Sequence, residues 1–307
     1  MVNSLHTSPG FLLGMLGLVR LAESAWPANQ FVTEPSIKAP QLHVQAGAQQ
    51  APGYIFLGPR NDGANASAPL IYDQMGNLVY QGTQGTVANF GVQMYNNAPV
   101  ITYWEGTMLD RGFGYGSVHV LDNTYKEIAT VTLPSDLNFV SPDGNSYPSY
   151  IDLHESQFTP SNTVLVTAYN STQTDLTSVG GSSDGWILDT LFYEIDIASN
   201  KILNSWSALD NIDQIGGFAS AHQQLEGTGG SQALPWDAFH LNSVAPTNNG
   251  YIISIRHFFS AYLLDKNGTV SWRLDVSQQT HAHAHPKKRK KKKKKFFFYI
   301  TLLTNNK

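Results

Sequence analysis

Three stretches of this 307-residue chain place cationic side chains in settings that could do chemistry. His154 stands in DLHESQFTP, His240 in PWDAFHLNSV, and Arg256 with His257 in the otherwise apolar run IISIRHFF. Imidazole gains or loses its proton near neutral pH, and guanidinium keeps a planar fork of donors at any pH. Together they suit recognition of an anion and stabilisation of charge that develops on oxygen during group transfer. An arginine inside an apolar strand is costly unless paired, so Arg256 should face a buried carboxylate such as Asp237 or Glu155, or an anionic ligand. A single histidine beside an aspartate is usually an ordinary turn residue. The case for a site with His154, His240 and Arg256 in the leading roles, and His257 as a substrate contact, is that several local oddities coincide. Tyr103 and Trp104 in ITYWEG could floor an aromatic pocket, or fill the core as strand aromatics commonly do.

Other chemistries lack their residues. With no cysteine, a thiol nucleophile, a disulfide scaffold and a thiolate metal site are all excluded. The segment GGSSDGW at 180–186 has no Lys and Ser/Thr pair to close a phosphate loop, and no Gly-Lys pair occurs anywhere. His281, His283 and His285 alternate in a way that could grip a divalent ion, but their biased surroundings favour an adventitious tract, and no metal or cofactor is expected.

The elements that must carry these side chains read as strands and turns, without sustained helical periodicity. Four hairpins share one pattern of apolar strand, aspartate, turn and second strand: LIYDQMGNLVYQG (70–82), VHVLDNTYKEIATV (118–131), FYEIDIASNKILNSW (192–206) and AYLLDKNGTVSWRL (261–274). Their aspartates, Asp73, Asp122, Asp196 and Asp265, recur at intervals of 49, 74 and 69 residues. An apolar strand precedes each hairpin, at 54–60, 99–106, 163–170 and 251–259. That repetition predicts an all-β fold of the β-propeller type with four blades, a β-sandwich being the alternative. His154 and His240 each lie directly before the leading strand of a module, so both should face one central axis.

The formal charge of −4 conceals a split. Residues 287–295 are all Lys or Arg; setting these and Lys307 aside leaves nine basic residues against 23 acidic ones, a charge of −14 over residues 1–286. Such a body repels nucleic acid and anionic membranes. The apolar run Phe11–Val19, with small residues Ala22 and Ser24 beyond it, reads as a signal peptide over 1–24, although no Lys or Arg precedes it; it is too short to span a bilayer. Sequons at Asn65, Asn170 and Asn267 agree with a secreted, glycosylated protein. The biased tail 275–307 reads as a nuclear-localisation or heparin-binding segment, or as translated non-coding sequence in an artefactual gene model. Nothing in the sequence sets the oligomeric state.

Taken in order, PGYIFLGPR, LIYDQMGNLVYQG, PVITYWEG, DLHESQFTP, SDGWILDTLFYEIDIAS, PWDAFHLNSV and IISIRHFFSAYLLDKNGTVSWRL resemble the fungal branch of the arylsulfotransferase family over residues 50–274. The resemblance implies a six-bladed β-propeller. It also implies transfer of a sulfuryl group from a phenolic sulfate ester to a phenol through a sulfated histidine, without a nucleotide sulfate, so the partners expected are small aromatic sulfates and phenols. By motif, His154, His240 and Arg256 correspond to the family's sulfuryl-binding set. The family's nucleophilic histidine lies in a Q-H-D-like motif that follows W-R-L-G-G. This chain departs from that pattern after Leu274 and contains no Q-H-D, which implies a truncated propeller of about four blades with impaired transfer. A secreted propeller acting as a non-catalytic binding module is the alternative.

Overall fold

The computed structural model describes residues 27–29, 31–32, 34–44, 52–60 and 67–275. The signal-peptide segment, Asn65, the His281–His285 tract and the rest of the tail lie outside the described residues.

Fifteen strands make up nearly half of the described chain. They are β1 (Tyr54–Leu57), β2 (Leu70–Asp73) and β3 (Leu78–Gln81); β4 (Thr86–Tyr95), β5 (Ala98–Met108), β6 (Gly114–Leu121) and β7 (Glu127–Val131); β8 (Ile151–Phe158), β9 (Thr163–Thr174), β10 (Gly185–Asp196) and β11 (Ile202–Ser207); and β12 (Leu241–Thr247), β13 (Gly250–Ile255), β14 (Ser260–Asp265) and β15 (Val270–Asp275). Among the described residues one short α-helix, Ile212–Ile215, interrupts them, so the all-β expectation is met. Neighbours in sequence pair antiparallel. The first three strands form one sheet and the last four another; β4–β7 and β8–β11 meet through the single pair Gly116–Ile151 and so join into one eight-stranded sheet. None of the three sheets closes on itself.

The sequence repeat has a physical cause. In β2–β3, β6–β7, β10–β11 and β14–β15 the register slips one or two residues ahead of the recurring aspartate, between Ile71 and Tyr72, Val120 and Leu121, Glu194 and Ile195, and Leu263 and Leu264. Each aspartate then turns its carboxylate onto the turn it opens. Asp73 Oδ1 accepts the amides of Met75 and Asn77 at 2.8 Å, Asp122 Oδ1 that of Thr124 at 2.8 Å, Asp196 Oδ1 that of Ser199 at 2.8 Å, and Asp265 Oδ1 those of Asn267 and Thr269 at 2.9 Å. Short acidic side chains satisfy turn amides that no strand partner can reach, and hydrogen bonds to the charged form hold the carboxyls of Asp73, Asp122 and Asp196 below their usual range.

Two expectations are corrected. The strand expected over 251–259 stops at Ile255, and Arg256–Phe258 form a 3₁₀ turn that ends on Phe259 at φ 48°. Reversal into β14 requires that turn, and the apolar content of Phe258, which is buried, mimicked a continuing strand. Arg256 is therefore exposed rather than enclosed in a strand, and among the described residues it forms no ion pair with Asp237 or Glu155. His154, expected just before the strand at 163–170, does precede it but lies inside a further strand, β8.

The two largest apolar clusters pack the eight-stranded sheet and the sheet of β12–β15. One gathers Trp104, Phe113, Tyr115, Ile151, Val164 and Tyr169; the other Trp206, Trp236, Phe239, Phe258 and Tyr262. Trp104 is wholly buried and its Nε1 donates to the Ile151 carbonyl at 2.8 Å, so it fills core rather than flooring a pocket. Tyr103, on the opposite face of β5, stacks on His119 with ring centres 5.0 Å apart.

Asp189 in β10 is 6% exposed and accepts from Ser207 Oγ at 2.7 Å and from the Leu209 amide at 3.0 Å. Burial outweighs those bonds and pushes its carboxyl up to about 7. A group whose folded pKa is raised contributes stability that is complete below its unfolded pKa, about 3.9, and is lost as pH rises through about 7. Glu155, also pushed up to about 7 by burial, has the same sign. Asp189→Asn should therefore flatten the decline in stability between pH 4 and 7.5, by on the order of 2–4 kcal/mol. Thermal unfolding of both proteins across that range measures it, and parallel curves would remove Asp189 as the cause.

Candidate histidine–carboxylate site

The site begins at an irregularity in β8, where the register with β9 slips between Ile151 and Ser156 and the Asp152 carboxylate turns onto residue 154. Asp152, fully buried, is a hub: Oδ1 accepts the Gly114 amide at 2.9 Å, while Oδ2 accepts the His154 amide at 2.8 Å, His154 Nδ1 at 2.7 Å and Thr167 Oγ1 at 3.0 Å. With Nδ1 donating to a carboxylate, the neutral His154 ring carries its lone pair on Nε2.

His240 arrives from another sheet, one residue before β12. Its backbone is left-handed, φ 59°, a conformation rarely adopted by a residue with a side chain, and here it buries His240 between buried Phe239 and Leu241. His240 Nδ1 donates to Asp237 Oδ2 at 2.7 Å. The 3₁₀ turn is bolted alongside, since the amides of Arg256 and His257 donate to the carbonyls of His240 and Phe239 at 2.9 and 3.0 Å. His257 Nδ1 then donates to the Asp237 carbonyl at 2.6 Å.

The three rings form a row. His154 meets His240 edge to face with centres 5.0 Å apart, and His240 meets His257 at 5.1 Å. Tyr169 in β9 packs on both His154 (5.8 Å) and His240 (5.6 Å), and its hydroxyl donates to the Leu241 carbonyl at 2.9 Å, which latches the two sheets together at the site. Burial lowers the His257 pKa; the Asp237 carboxylate opposes this, and the neighbouring His240 and Arg256 reinforce it, so His257 is a neutral imidazole at pH 7. Burial drives the Tyr169 hydroxyl well above its ordinary range, so it acts only as a donor. The His154 and His257 side chains keep 16% and 17% of their surface, whereas His240 keeps 3%. Solvent therefore meets the two outer rings, with Arg256 exposed beside them and His240 behind.

Sequence reasoning brought His154, His240 and His257 forward, and they do share one cluster. Tyr103 and Trp104 pack elsewhere. Of the sequons, Asn170 is half-buried in β9 with its Oδ1 accepting the Val140 amide at 2.7 Å, and Asn267 lies in the exposed β14–β15 turn. The two carboxylates that orient the rings were missed as orienting residues. Their signals were present: in Asp-x-His the carboxylate reaches the residue two along, and Asp-x-x-His spans one turn.

A chain of antiparallel sheets with carboxylate-anchored histidines gathered where two sheets meet belongs to the all-β proteins that build a site between repeated modules. The sequence profile of the family described as Arylsulfotransferase (ASST) matches residues 91–284, more than half of the chain, and the protein belongs to that family. No curated protein and no solved structure matches it.

Proposed function

We propose that the protein is a secreted arylsulfotransferase-type propeller that binds phenolic sulfate esters at the histidine row. The single observation that carries this is the meeting of His154 and His240, from different sheets and 86 residues apart in sequence, with ring centres 5.0 Å apart and each Nδ1 fixed by a carboxylate. Protonated at Nε2, such rings donate to sulfuryl oxygens, and the exposed Arg256 guanidinium offers a fork to the same group. Because His240 is enclosed, the ester would first meet His154, His257 and Arg256, with His240 engaged as the cluster opens. The four repeated hairpins, each with a slipped register before its aspartate, support blades of a six-bladed plan over residues 50–274. Asn267 is the better-exposed glycan site of the two described. In this reading 1–24 is a removable signal, and 275–307 is not part of the propeller.

In transfer, the sulfur–oxygen ester bond breaks, the leaving phenolate takes the bond pair and a proton from an imidazolium, and the acceptor phenol's oxygen bonds to sulfur as its own proton passes to the imidazole so formed. A histidine carries the group between donor and acceptor in the family this chain resembles. No Q-H-D motif occurs in the 307 residues, so we assign binding to this chain, with slow transfer at most. Absence of that motif equally favours the second reading, a binding module without turnover.

The test is equilibrium binding of a nitrophenyl sulfate, followed by nitrophenol release with an acceptor phenol present. Arg256→Ala and His154→Ala should each weaken binding about tenfold or more, the value of one lost charge-assisted hydrogen bond. Binding unchanged in both would end the sulfate reading, and fast release by the unaltered protein would end the assignment of slow transfer.

A further inference from the structure

We propose that the protein associates with a second copy of itself through the outer face of the sheet β12–β15. The two faces of that sheet differ in kind. The cross-strand row Val244, Ile253 and Tyr262 is buried, and it packs with Leu165, Phe192 and Trp206 of the eight-stranded sheet. Residues one position along point the other way. They make two further rows: Ala245, Ile252, Leu263 and Trp272 in one, Ser243, Ser254, Ala261 and Leu274 in the other. No residue of either row is buried, and Ile252, Trp272 and Leu274 keep 38%, 47% and 50% of their surface, so among the described residues nothing closes over them. Neither row holds a charge. Its only polar side chains, Ser243 and Ser254, turn their hydroxyls onto each other at 2.9 Å. A contiguous face this apolar is uncommon on a monomer and marks a contact surface.

Charge and area select the occupant. Residues 1–286 hold nine basic against 23 acidic residues, so copies repel one another over most of their surface, and the two rows are where they meet without opposing charges. The same acidic body repels an anionic bilayer, and a charged protein partner finds no complement in rows that carry none. About a two-fold axis the face meets itself, as two sheets pack roughly 10 Å apart with their side chains interdigitated. Four strands about 4.8 Å apart, each with six residues at about 3.4 Å, give a face of roughly 19 by 20 Å, or about 400 Å² in plan. With side-chain relief, two copies bury on the order of 1,000 Å², the lower bound for a specific interface. An interface of that size is reversible, with Kd expected near 10 μM, about 7 kcal/mol. The proposal goes beyond the sulfate-ester reading and does not rest on it, since association is measured with no ester present.

The experiment is sedimentation velocity of the full chain over a concentration series that runs from tenfold below to tenfold above that Kd. The parent should pass from monomer to dimer. Trp272→Lys and, separately, Ile252→Lys should each weaken dimerisation at least tenfold, because each sets a charge into an apolar contact against its own copy. Circular dichroism identical to the parent shows that each variant has folded, and Leu274→Lys replaces any that has not. Ile128→Lys, at a position 47% exposed in β7 of another sheet, should leave the dimer unchanged. The apolar stretch FFFYITLL at 296–303 is the competing cover for the face, so the series is repeated on the full chain with Phe296, Phe297 and Phe298 replaced by serine, where dimerisation should persist. A parent that stays monomeric, a dimer that withstands both lysine substitutions, or a dimer lost with the three phenylalanines overturns the proposal.

Discussion

Asp152→Ala is expected to cost about 4 kcal/mol of folding free energy, among the largest losses any single polar substitution here would produce. The carboxylate is fully buried and takes four donors, from Gly114, Thr167 and both the amide and ring of His154. Alanine removes every acceptor and leaves those donors enclosed without partners, each a cost of roughly 1 kcal/mol or more. Because the Gly114 amide belongs to β6 and Thr167 to β9, the loss also loosens the join between two strand groups. Thermal or denaturant unfolding measures it, and a loss under about 1 kcal/mol would show that Asp152 is no hub. Asp152→Asn separates the structural role from the orienting one. Its carboxamide keeps one acceptor but can turn N–H groups toward His154 Nδ1, so His154 should adopt the opposite tautomer, with the proton on Nε2. Nitrogen NMR shifts of that ring report the exchange, and an unchanged tautomer would refute control by Asp152.

Gly116→Ala should be comparably severe. Gly116 pairs with Gly106 across β5 and β6, and through its pair with Ile151 it is also the link from β6 to β8. A Cβ at position 116 would stand 2.1 Å from the Glu105 carbonyl oxygen and 2.7 Å from the buried Trp104 indole. Neither neighbour is free to retreat, since one is ladder backbone and the other is fixed in the core by its bond to Ile151. The strands would have to part, at a cost of about 3 kcal/mol or more, which at about 2–4 °C per kcal/mol lowers Tm by roughly 6–12 °C. The substitution should also disturb His154, three residues along β8 from Ile151. A Tm within about 2 °C of the parent would mean that the two backbones tolerate a methyl group between them.

Much of the fold was legible because its causes are local. Asp73, Asp122, Asp196 and Asp265 mark hairpins in the sequence because each caps the turn it opens, an interaction spanning four residues or fewer. Alternating apolar strands around them fix the β class for the same reason: period-two side chains need a sheet to bury one face. Where the pattern misled, a second cause overrode the local one. IISIRHFF reads as a strand on composition, but β13 must reverse into β14, and a 3₁₀ turn takes up its last residues. Arg256 thereby moved from an expected buried pair to an exposed rim.

The sequence by itself determined that this chain makes antiparallel sheets from repeated hairpins, that its chemistry excludes thiols and phosphate loops, and that His154, His240, Arg256 and His257 are its unusual polar residues. Only the tertiary structure decided that the three histidines form a row, that Asp152 and Asp237 set their tautomers, and that Arg256 stands outside. It also decided that, within this cluster, His240 Nε2 and Asp237 Oδ1 are buried without hydrogen-bond partners. The reason is physical: hydrogen-bond capping and strand alternation act over a few residues and leave a mark in sequence. The approach of β8 to the loop before β12 depends on how whole sheets pack through Tyr169, Phe239 and Leu241, and no short spacing encodes it.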